Sequence, residues 1–409
     1  MNKTTIQNLE YVALKLVGGL TYKDISNLIE AKAVKSYRDI DINRLKLILK
    51  DRLQYKLTDS TFGHLINVIK KADSVHEAVD GYIKSIEDNK IHVINRDSKQ
   101  YPFVWKNLSG MPDVFFARGN AELLSYASAC GSAAIVGSRT PTSYALYATR
   151  QFATEIGMTG KAIVSGMALG IDREAHITCL DKGIATIAVM AGGVDVIYPY
   201  QNNDIYQGMC ELGLVLSEMP PGYKPIKQYF PARNRLISAL SDVTIVMEAG
   251  EHSGTLHTAT FAASQGKDVF VLPNSIYTQS SIGGLYLIKD GAEVLINSEI
   301  VNDRINHVVY ERADLMGEEA PNIAEILAEE HKKVSSKVLE TKAKETPSEM
   351  TDDDWKNLIL IRIQEKPRSA DTLCDLLRIP FGVLSRYLTE LELNRKIEMF
   401  KDKYILTIV

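Results

Sequence analysis

The feature that most constrains the fold is a series of short runs rich in β-branched residues, which begins near residue 132. The runs read AAIVGSR, AIVSGMALG, ATIAVMAGG, GLVLSEMPPG, VTIVMEAG and DVFVLPNS. Segments with helical periodicity, such as Ser143 to Gly157 and His257 to Gly266, separate them. Buried strands that alternate with helices predict an α/β fold with a doubly wound, mostly parallel sheet, because parallel crossovers place helices on both faces.

The turn after the first strand is a candidate anion-binding site. Ligands of parallel sheets bind outside the carboxyl ends of the strands, which is where this turn lies. Gly137, Ser138 and Arg139 stand there, and Pro141 opens the next helix, so free backbone N–H groups and a guanidinium can face an anion. Alternatively, Gly137 only turns the chain and Arg139 forms a surface salt bridge. The stretch VGSRTP lacks the later glycines of GxGxxG, and the sequence has no GxxxxGK(S/T) motif, so nucleoside triphosphate hydrolysis is unsupported.

Two further strand ends are expected at the same edge of the sheet. Ser165 and Gly166 allow close approach of a backbone. Ser253, Gly254 and Thr255 begin another helix, where they offer N–H groups to an anion or only cap the helix. Together these strand ends predict a groove.

An acidic residue and a histidine follow the second strand. Asp172 is placed to cap the next helix, and His176 lies four residues later on the same helical face. A catalytic pair is one interpretation. A capping aspartate with a packed histidine is favoured over it, because no serine or cysteine nucleophile accompanies them.

The charge and composition restrict the remaining classes of function. The 409-residue chain has a formal net charge of −4, so any nucleic-acid site must be local. Its four cysteines are far apart in sequence, which predicts neither a zinc site nor a disulfide framework. No apolar run reaches the roughly 20 residues of a membrane span. We therefore expect a cytoplasmic protein without a metal, a cofactor or a membrane partner.

A local cationic cluster occurs in the stretch FPARNRLISAL, which begins at Phe230. Arg233, Asn234 and Arg235 follow the aromatic residue and a proline. An arginine-rich helix start with a buried phenylalanine is the alternative to a binding segment.

Several linked motifs resemble those of the DprA/Smf family of DNA-processing proteins. They are IVGSR, SGMALGIDREAH, TIAVMAGGVDVIYP, GLVLSEMPPG, KQYFPARNRLISALSD, SGTLHTA and LIKDGA, in the order and spacing of that family. The upstream YPFVWKNLSGMPDVFFARGN is also similar to the family's lead-in. The resemblance covers about residues 100 to 297.

The resemblance implies an extended Rossmann-like domain that binds single-stranded DNA and forms a homodimer. It further implies a protein that protects single-stranded DNA and loads the RecA recombinase during natural transformation and recombination, with single-strand-binding protein as a further partner. These are functions of a binding protein and not of an enzyme.

The family's DNA-binding residues fall on Arg139, Lys227 and Phe230, and Arg233 and Arg235 match the same motif, although one of these two arginines could brace the groove from behind. A single strand is held by cations on its phosphates and by aromatic faces under its bases. We therefore expect Lys227, Phe230 and the arginines to act together in one short loop.

The sequence departs from the family pattern in two places. Pro273-Asn274 replaces the usual Pro-Gly after the last strand, and Gly283-Gly284-Leu285 replaces Gly-x-Asn before LIKDGA. These departures leave open whether this late loop makes a polar contribution.

An enzyme of the phosphoribohydrolase class, on a related fold, is the alternative function. Those enzymes carry a Pro-Gly-Gly-x-Gly-Thr-x-x-Glu pattern, and here Thr258 stands where their glutamate would be. The obvious general acid or base is absent.

The chain is predicted to have four segments: a helical domain over residues 1–95, the Rossmann-like domain over 96–313, a charged linker over 314–350 and a winged-helix domain over 351–409. In the first domain, VGGLT indicates either a helix-hairpin-helix loop, as in SAM-like domains, or a plain turn. The last domain combines three helices with a hairpin, which also resembles many DprA members. Its third helix carries Arg386 but also Glu390 and Glu392, so protein docking and weak DNA binding stay open as its role.

Overall fold

All of the predicted strand runs form strands of one sheet in the computed structural model of the protein. The structure describes residues 1–316, 352–365, 370, 373, 381–394, 396–400 and 403–406. The chain divides into two compact units, Met1–Lys337 and Val338–Val409.

The first unit contains helices on both sides of a nine-stranded sheet. Its helices are α1 (Lys3–Leu16), α2 (Tyr22–Glu30), α3 (Ile42–Lys50), α4 (Arg52–Tyr55), α5 (Asp59–Lys70), α6 (Ala72–Asn89), α7 (Phe103–Lys106), α8 (Leu123–Cys130), α9 (Ser143–Gly157), α10 (Ile171–Lys182), α11 (Asn203–Leu212), α12 (Tyr229–Leu240), α13 (Thr255–Ser264), α14 (Ile282–Lys289) and α15 (Ser298–Met316). Short 3₁₀ turns occupy Tyr37–Asp39, Tyr200–Asn202 and Gln279–Ser281. The strands are β1 (His92–Asn95), β2 (Val114–Gly119), β3 (Ser132–Gly137), β4 (Ala162–Ser165), β5 (Thr186–Val189), β6 (Leu214–Ser217), β7 (Val243–Glu248), β8 (Asp268–Val271) and β9 (Glu293–Val294).

The sheet is doubly wound and mostly parallel, as predicted. Its strand order is β1-β2-β6-β5-β4-β3-β7-β8-β9. The strands from β3 to β9 pair in parallel, whereas β1 and β2 form an antiparallel edge beside β6. The chain reverses its direction of winding between β3 and β7, which places a crevice at their carboxyl ends.

Two of the predicted helices are observed, one with the predicted bounds and one with a small shift. The α9 helix spans the predicted Ser143–Gly157, and Thr142 caps it by accepting a hydrogen bond from the backbone N–H of Ala145. The α13 helix spans Thr255–Ser264 and so begins two residues before the predicted start. Residue 316, three residues past the predicted end of the central domain, is still helical.

The amino-terminal helices share a core with one face of the sheet. Leu9, Leu28 and Leu45 are fully buried in this cluster together with Phe116 of β2. The glycine pair of VGGLT forms the turn between α1 and α2. The α2 helix begins with a reciprocal cap in which the side chains of Thr21 and Asp24 each accept a backbone N–H of the other.

The second unit contains two described helices, Asp352–Glu365 and Phe381–Leu393, and an antiparallel hairpin of Ile397–Phe400 with Lys403–Leu406. Ile359, Leu384 and other apolar residues form its core. The predicted middle helix, SADTLCDLLR, lies outside the described residues except at positions 370 and 373. The predicted linker also lies outside them from residue 317 onward.

No helix within the described ranges is both long enough and apolar enough to cross a membrane. Among those same residues, no group of three or more histidine, cysteine, aspartate or glutamate side chains is arranged to hold a metal ion.

Candidate functional site

A cavity of about 520 Å³ lies at the carboxyl ends of β3 and β7, where the winding of the sheet reverses. Residues from five segments line it: Val136 to Arg139 at the end of β3, Ala168 and Asp172 after β4, Phe230 to Ile237 of α12, Gly250 to Thr258 around the start of α13, and Ser280 before α14. The predicted strand ends therefore do meet at one edge.

The Gly-Ser-Arg turn is built to face this cavity. A Cβ atom on Gly137 would come within 2.6 Å of Ile171 and 3.2 Å of the backbone nitrogen of Glu248, so a larger residue would displace its neighbours. The Ser138 hydroxyl accepts a hydrogen bond from the backbone N–H of Thr140 at 3.1 Å, which stabilises the turn. Arg139 is exposed. Its guanidinium is thus available to an anionic ligand.

A buried carboxylate stands behind this turn. Glu248 is 2% exposed and accepts hydrogen bonds from the backbone N–H of Thr142 at 3.2 Å and from its hydroxyl at 2.6 Å. This carboxylate fixes the start of α9 and occupies donors there that an external anion would otherwise use. The Arg139 guanidinium is consequently the main group of the turn that remains available to bind an anion.

Phe230 borders the cavity from the first turn of α12 and is half-buried. The guanidinium carbon of Arg139 lies 5.6 Å from the centroid of its ring, within the range of a cation–π contact. The ring of Tyr198 lies 5.7 Å away at an interplanar angle of 58°. The cluster was expected in one short loop, and this is wrong, because Phe230 to Arg235 belong to a helix.

Arg233 lies behind this surface with only 7% of its area exposed. Its guanidinium donates to the carbonyl oxygens of Gly166 and Val189. A Cβ atom on Gly166 would come within 2.6 Å of this guanidinium and 2.8 Å of the Asp172 carboxylate, so glycine is required there. Burial lowers the pKa of Arg233 to about 10, against the opposing effect of Asp172, so the guanidinium stays charged near neutral pH. Arg233 braces the groove from behind.

The interpretation of Asp172 and His176 as a catalytic pair finds no geometric support. Asp172 accepts hydrogen bonds from the backbone N–H groups of Gly166 at 3.1 Å and Ala168 at 3.3 Å. Asp172 therefore fixes the preceding loop. The expectation that it caps its own helix is wrong, because no side chain caps the start of α10. The Nδ1 atom of His176 lies 2.8 Å from the Thr186 hydroxyl, and burial lowers the pKa of His176 to about 3. His176 is thus a neutral, packed residue.

Of the other predicted DNA-contact residues, four line the cavity and Ser165 lines neither cavity. Asn234, Ser253, Gly254 and Thr255 line the cavity, and the Asn234 amide donates to the Gly254 carbonyl at 3.3 Å. Ser165 is fully buried, and its hydroxyl donates to the Ile135 carbonyl at 2.6 Å.

The two remaining cations lie outside the cavity lining. Arg235 forms an ion pair with Glu218, whose carboxylate also accepts a hydrogen bond from the Tyr22 hydroxyl at 3.2 Å. Lys227 is exposed in the segment before α12, and its ammonium group has no hydrogen bond or ion pair within the described part of the chain. Of these two, Lys227 has the free charge.

The positions that depart from the family pattern do not contribute to the lining. Asn274 and Leu285 border neither this cavity nor the one beside it. The Asn274 side chain accepts a hydrogen bond from the backbone N–H of Ser275 at 2.7 Å. Thr258, at the position of the enzymes' glutamate, lines the first cavity and is buried.

Reasoning from sequence missed the second cavity, which has a volume of about 480 Å³. Tyr198 and Tyr200 line it, and it shares Arg139 and Phe230 with the first cavity. The available signal was the aromatic pair in YPYQ, which follows the strand ATIAV. His252 and His257, which line the first cavity, were also missed.

The chain is similar, in sequence and in structure, to known DNA-processing proteins. A family model described as DNA recombination-mediator protein A matches residues 92–306, and one described as DprA winged helix domain matches residues 343–400. DNA processing protein DprA of Bacillus subtilis is 39% identical over 223 residues, which cover 54% of this chain and 74% of that protein. Protein Smf of Synechocystis is 32% identical over 314 residues, which cover 76% and 79%. The X-ray structure of DprA from Streptococcus pneumoniae aligns with a TM-score of 0.60 at 30% identity, over 71% of this chain and 95% of that one.

Proposed function

Because the chain belongs to the DNA recombination-mediator protein A family, also named DprA or Smf, we propose that its groove binds single-stranded DNA. This family consists of DNA-binding recombination mediators and not of enzymes. The groove is the cavity at the ends of β3 and β7 together with the adjoining second cavity.

One observation carries the proposal: the exposed guanidinium of Arg139 lies 5.6 Å from the ring centroid of Phe230, and both groups border both cavities. A cation for the phosphates and an aromatic face for a base therefore stand side by side. Since a base must be unpaired to stack on a protein ring, this pairing favours a single strand over a duplex.

The charge distribution supports a local and moderate electrostatic contribution to the affinity for DNA. The net charge of −4 gives no general attraction for DNA, so Arg139 and Lys227 supply the expected phosphate contacts. Two contacts to a single strand predict a slope of about −1.4 in a plot of log affinity against log salt concentration.

The wider role follows from the family resemblance and is proposed with it. The protein would protect single-stranded DNA and load the RecA recombinase onto it in the cytoplasm, as a homodimer, during recombination and natural transformation. The division into a helical domain, a Rossmann-like domain, a linker and a winged-helix domain is proposed in the same way.

Two experiments test these proposals separately. Fluorescence anisotropy with labelled oligothymidylate tests the groove, and weaker binding by Arg139→Ala with an unchanged fold is the expected result. RecA-dependent strand exchange on DNA coated with single-strand-binding protein tests the loading role. Binding without any stimulation of RecA would leave the groove proposal intact and contradict the loading role.

A further inference from the structure

The groove continues past Phe230 into the second cavity. The two cavities share Arg139, Ala168, Phe230 and Arg233 in their linings, so they adjoin along these residues. Apolar residues such as Met167 and Ile197 form part of the second lining. A strand that contacts Arg139 and Phe230 can therefore reach this second cavity without crossing a wall of the protein.

Two tyrosines at the second cavity are exposed, although aromatic side chains usually bury most of their area. Tyr198 is 48% exposed and Tyr200 is 77% exposed. The Tyr200 side chain makes no hydrogen bond and no ring contact with any described residue. Its ring is thus available to an external partner.

Tyr198 has a different relationship to the site. Its ring centroid lies 5.7 Å from that of Phe230 with a tilt of 58°, which is within the usual separation of aromatic pairs. Tyr198 thereby supports Phe230 from the side of the second cavity and limits its movement. We regard it as a positioning residue for Phe230.

The segment that carries both tyrosines is held firmly in place. The fully buried side chain of Asn202 donates to the carbonyl oxygens of Met167 at 2.8 Å and Ala168 at 3.3 Å. Arg173 donates to the Asn202 side-chain oxygen at 2.9 Å and forms an ion pair with Asp204. Because the segment is ordered before any ligand arrives, binding there costs little conformational entropy.

From these observations we propose that Tyr200 is a second stacking platform for single-stranded DNA. One nucleotide base stacks at Phe230 and a later one at Tyr200, with Arg139 contacting a phosphate between the two cavities. This inference rests on the proposed function and adds to it the path of the strand and a minimum length for full affinity.

The test measures the affinity of the full chain for oligothymidylates from about 4 to about 16 nucleotides, the range of site sizes of single-strand-binding folds. Tyr200→Ala is expected to weaken the longest oligonucleotide by about 5- to 150-fold and to leave the shortest unchanged, since the shortest occupies the Arg139 and Phe230 site alone. Tyr200→Phe keeps the ring and should restore affinity. Tyr277→Ala is the matched control, because Tyr277 is 87% exposed and lines neither cavity.

The outcomes separate this inference from the function on which it rests. Equal affinity of Tyr200→Ala and the unmodified protein at every length overturns the second platform, while a surviving effect of Phe230→Ala leaves the proposed function standing. Equal weakening by Tyr200→Ala and Tyr277→Ala also overturns it. Absence of single-strand binding in the unmodified protein contradicts both. Thermal unfolding of Tyr200→Ala should match the unmodified protein, because the side chain is exposed.

Discussion

Replacing Phe230 with alanine removes the ring that borders both cavities. Alanine substitution of an aromatic residue that stacks on a base costs about 1–3 kcal/mol, which corresponds to about 5- to 150-fold weaker binding. This range already includes losses at neighbouring groups, here the cation–π contact with Arg139. Because Phe230 is only half-buried, its effect on folding should be smaller than the roughly 3–5 kcal/mol of a core phenylalanine.

The comparison with Lys227→Ala separates stacking from charge. Lys227 is exposed and acts through phosphate charge, so its loss should lower affinity and flatten the log–log salt slope by about 0.7. Phe230→Ala should lower affinity while the slope stays unchanged. Anisotropy titrations of both variants at several salt concentrations measure this difference. Phe230→Leu, which keeps apolar bulk without an aromatic face, controls for packing.

Two results would refute this reasoning. If Phe230→Ala changed the slope as much as Lys227→Ala does, the ring would act by positioning charge and not by stacking. If Phe230→Ala unfolded the protein in thermal denaturation, the ring would be a core residue.

Arg139→Ala is expected to weaken single-strand binding and to reduce the magnitude of the salt slope by about 0.7. Lys182→Ala, at the exposed end of α10, is the control and should change neither the affinity nor the slope. Identical titration curves for the two variants would show that Arg139 does not contact the DNA. A protein that lacks residues 351–409 should keep most of the affinity for single-stranded DNA, because the residues that line both cavities all precede that segment. Near-complete loss of binding in the same assay would show that the principal site lies within residues 351–409. The pKa of His176 is lowered to about 3 in the folded state, below the ordinary value of about 6.5, so stability should fall as the pH drops between these values, with about a tenfold rise in the unfolding constant per pH unit from this group. Urea unfolding of the protein and of His176→Gln tests this, and the same pH dependence in both would show that His176 is not the source.

The sheet was predictable because its central strands are buried on both faces and end in glycine or serine. The edge strands β1 and β2 were not predicted, since they pair antiparallel outside the region of regular alternation. The short strand β9 was also missed, because two residues give no periodicity.

The site was predictable in its position and less so in its detailed roles. Consecutive residues of a helix point in different directions, so Arg233, Asn234 and Arg235 face the buried carbonyl groups, the cavity and Glu218 respectively. The sequence shows the three residues together but does not show how α12 is rotated against the sheet. Tyr200 was not predicted for a related reason: Asn202, in the same turn, tethers this segment to the carbonyl groups of Met167 and Ala168 in a separate loop, which brings Tyr200 to the groove.

The most direct test of the central claim is a comparison of the affinities of the full chain for single-stranded and double-stranded DNA of equal length at one salt concentration. We expect tighter binding of the single strand, with a log–log salt slope of about −1.4 and dependence on Arg139 and Phe230. Equal or tighter binding of the duplex, or single-strand binding that is unchanged in Arg139→Ala and Phe230→Ala, would contradict it.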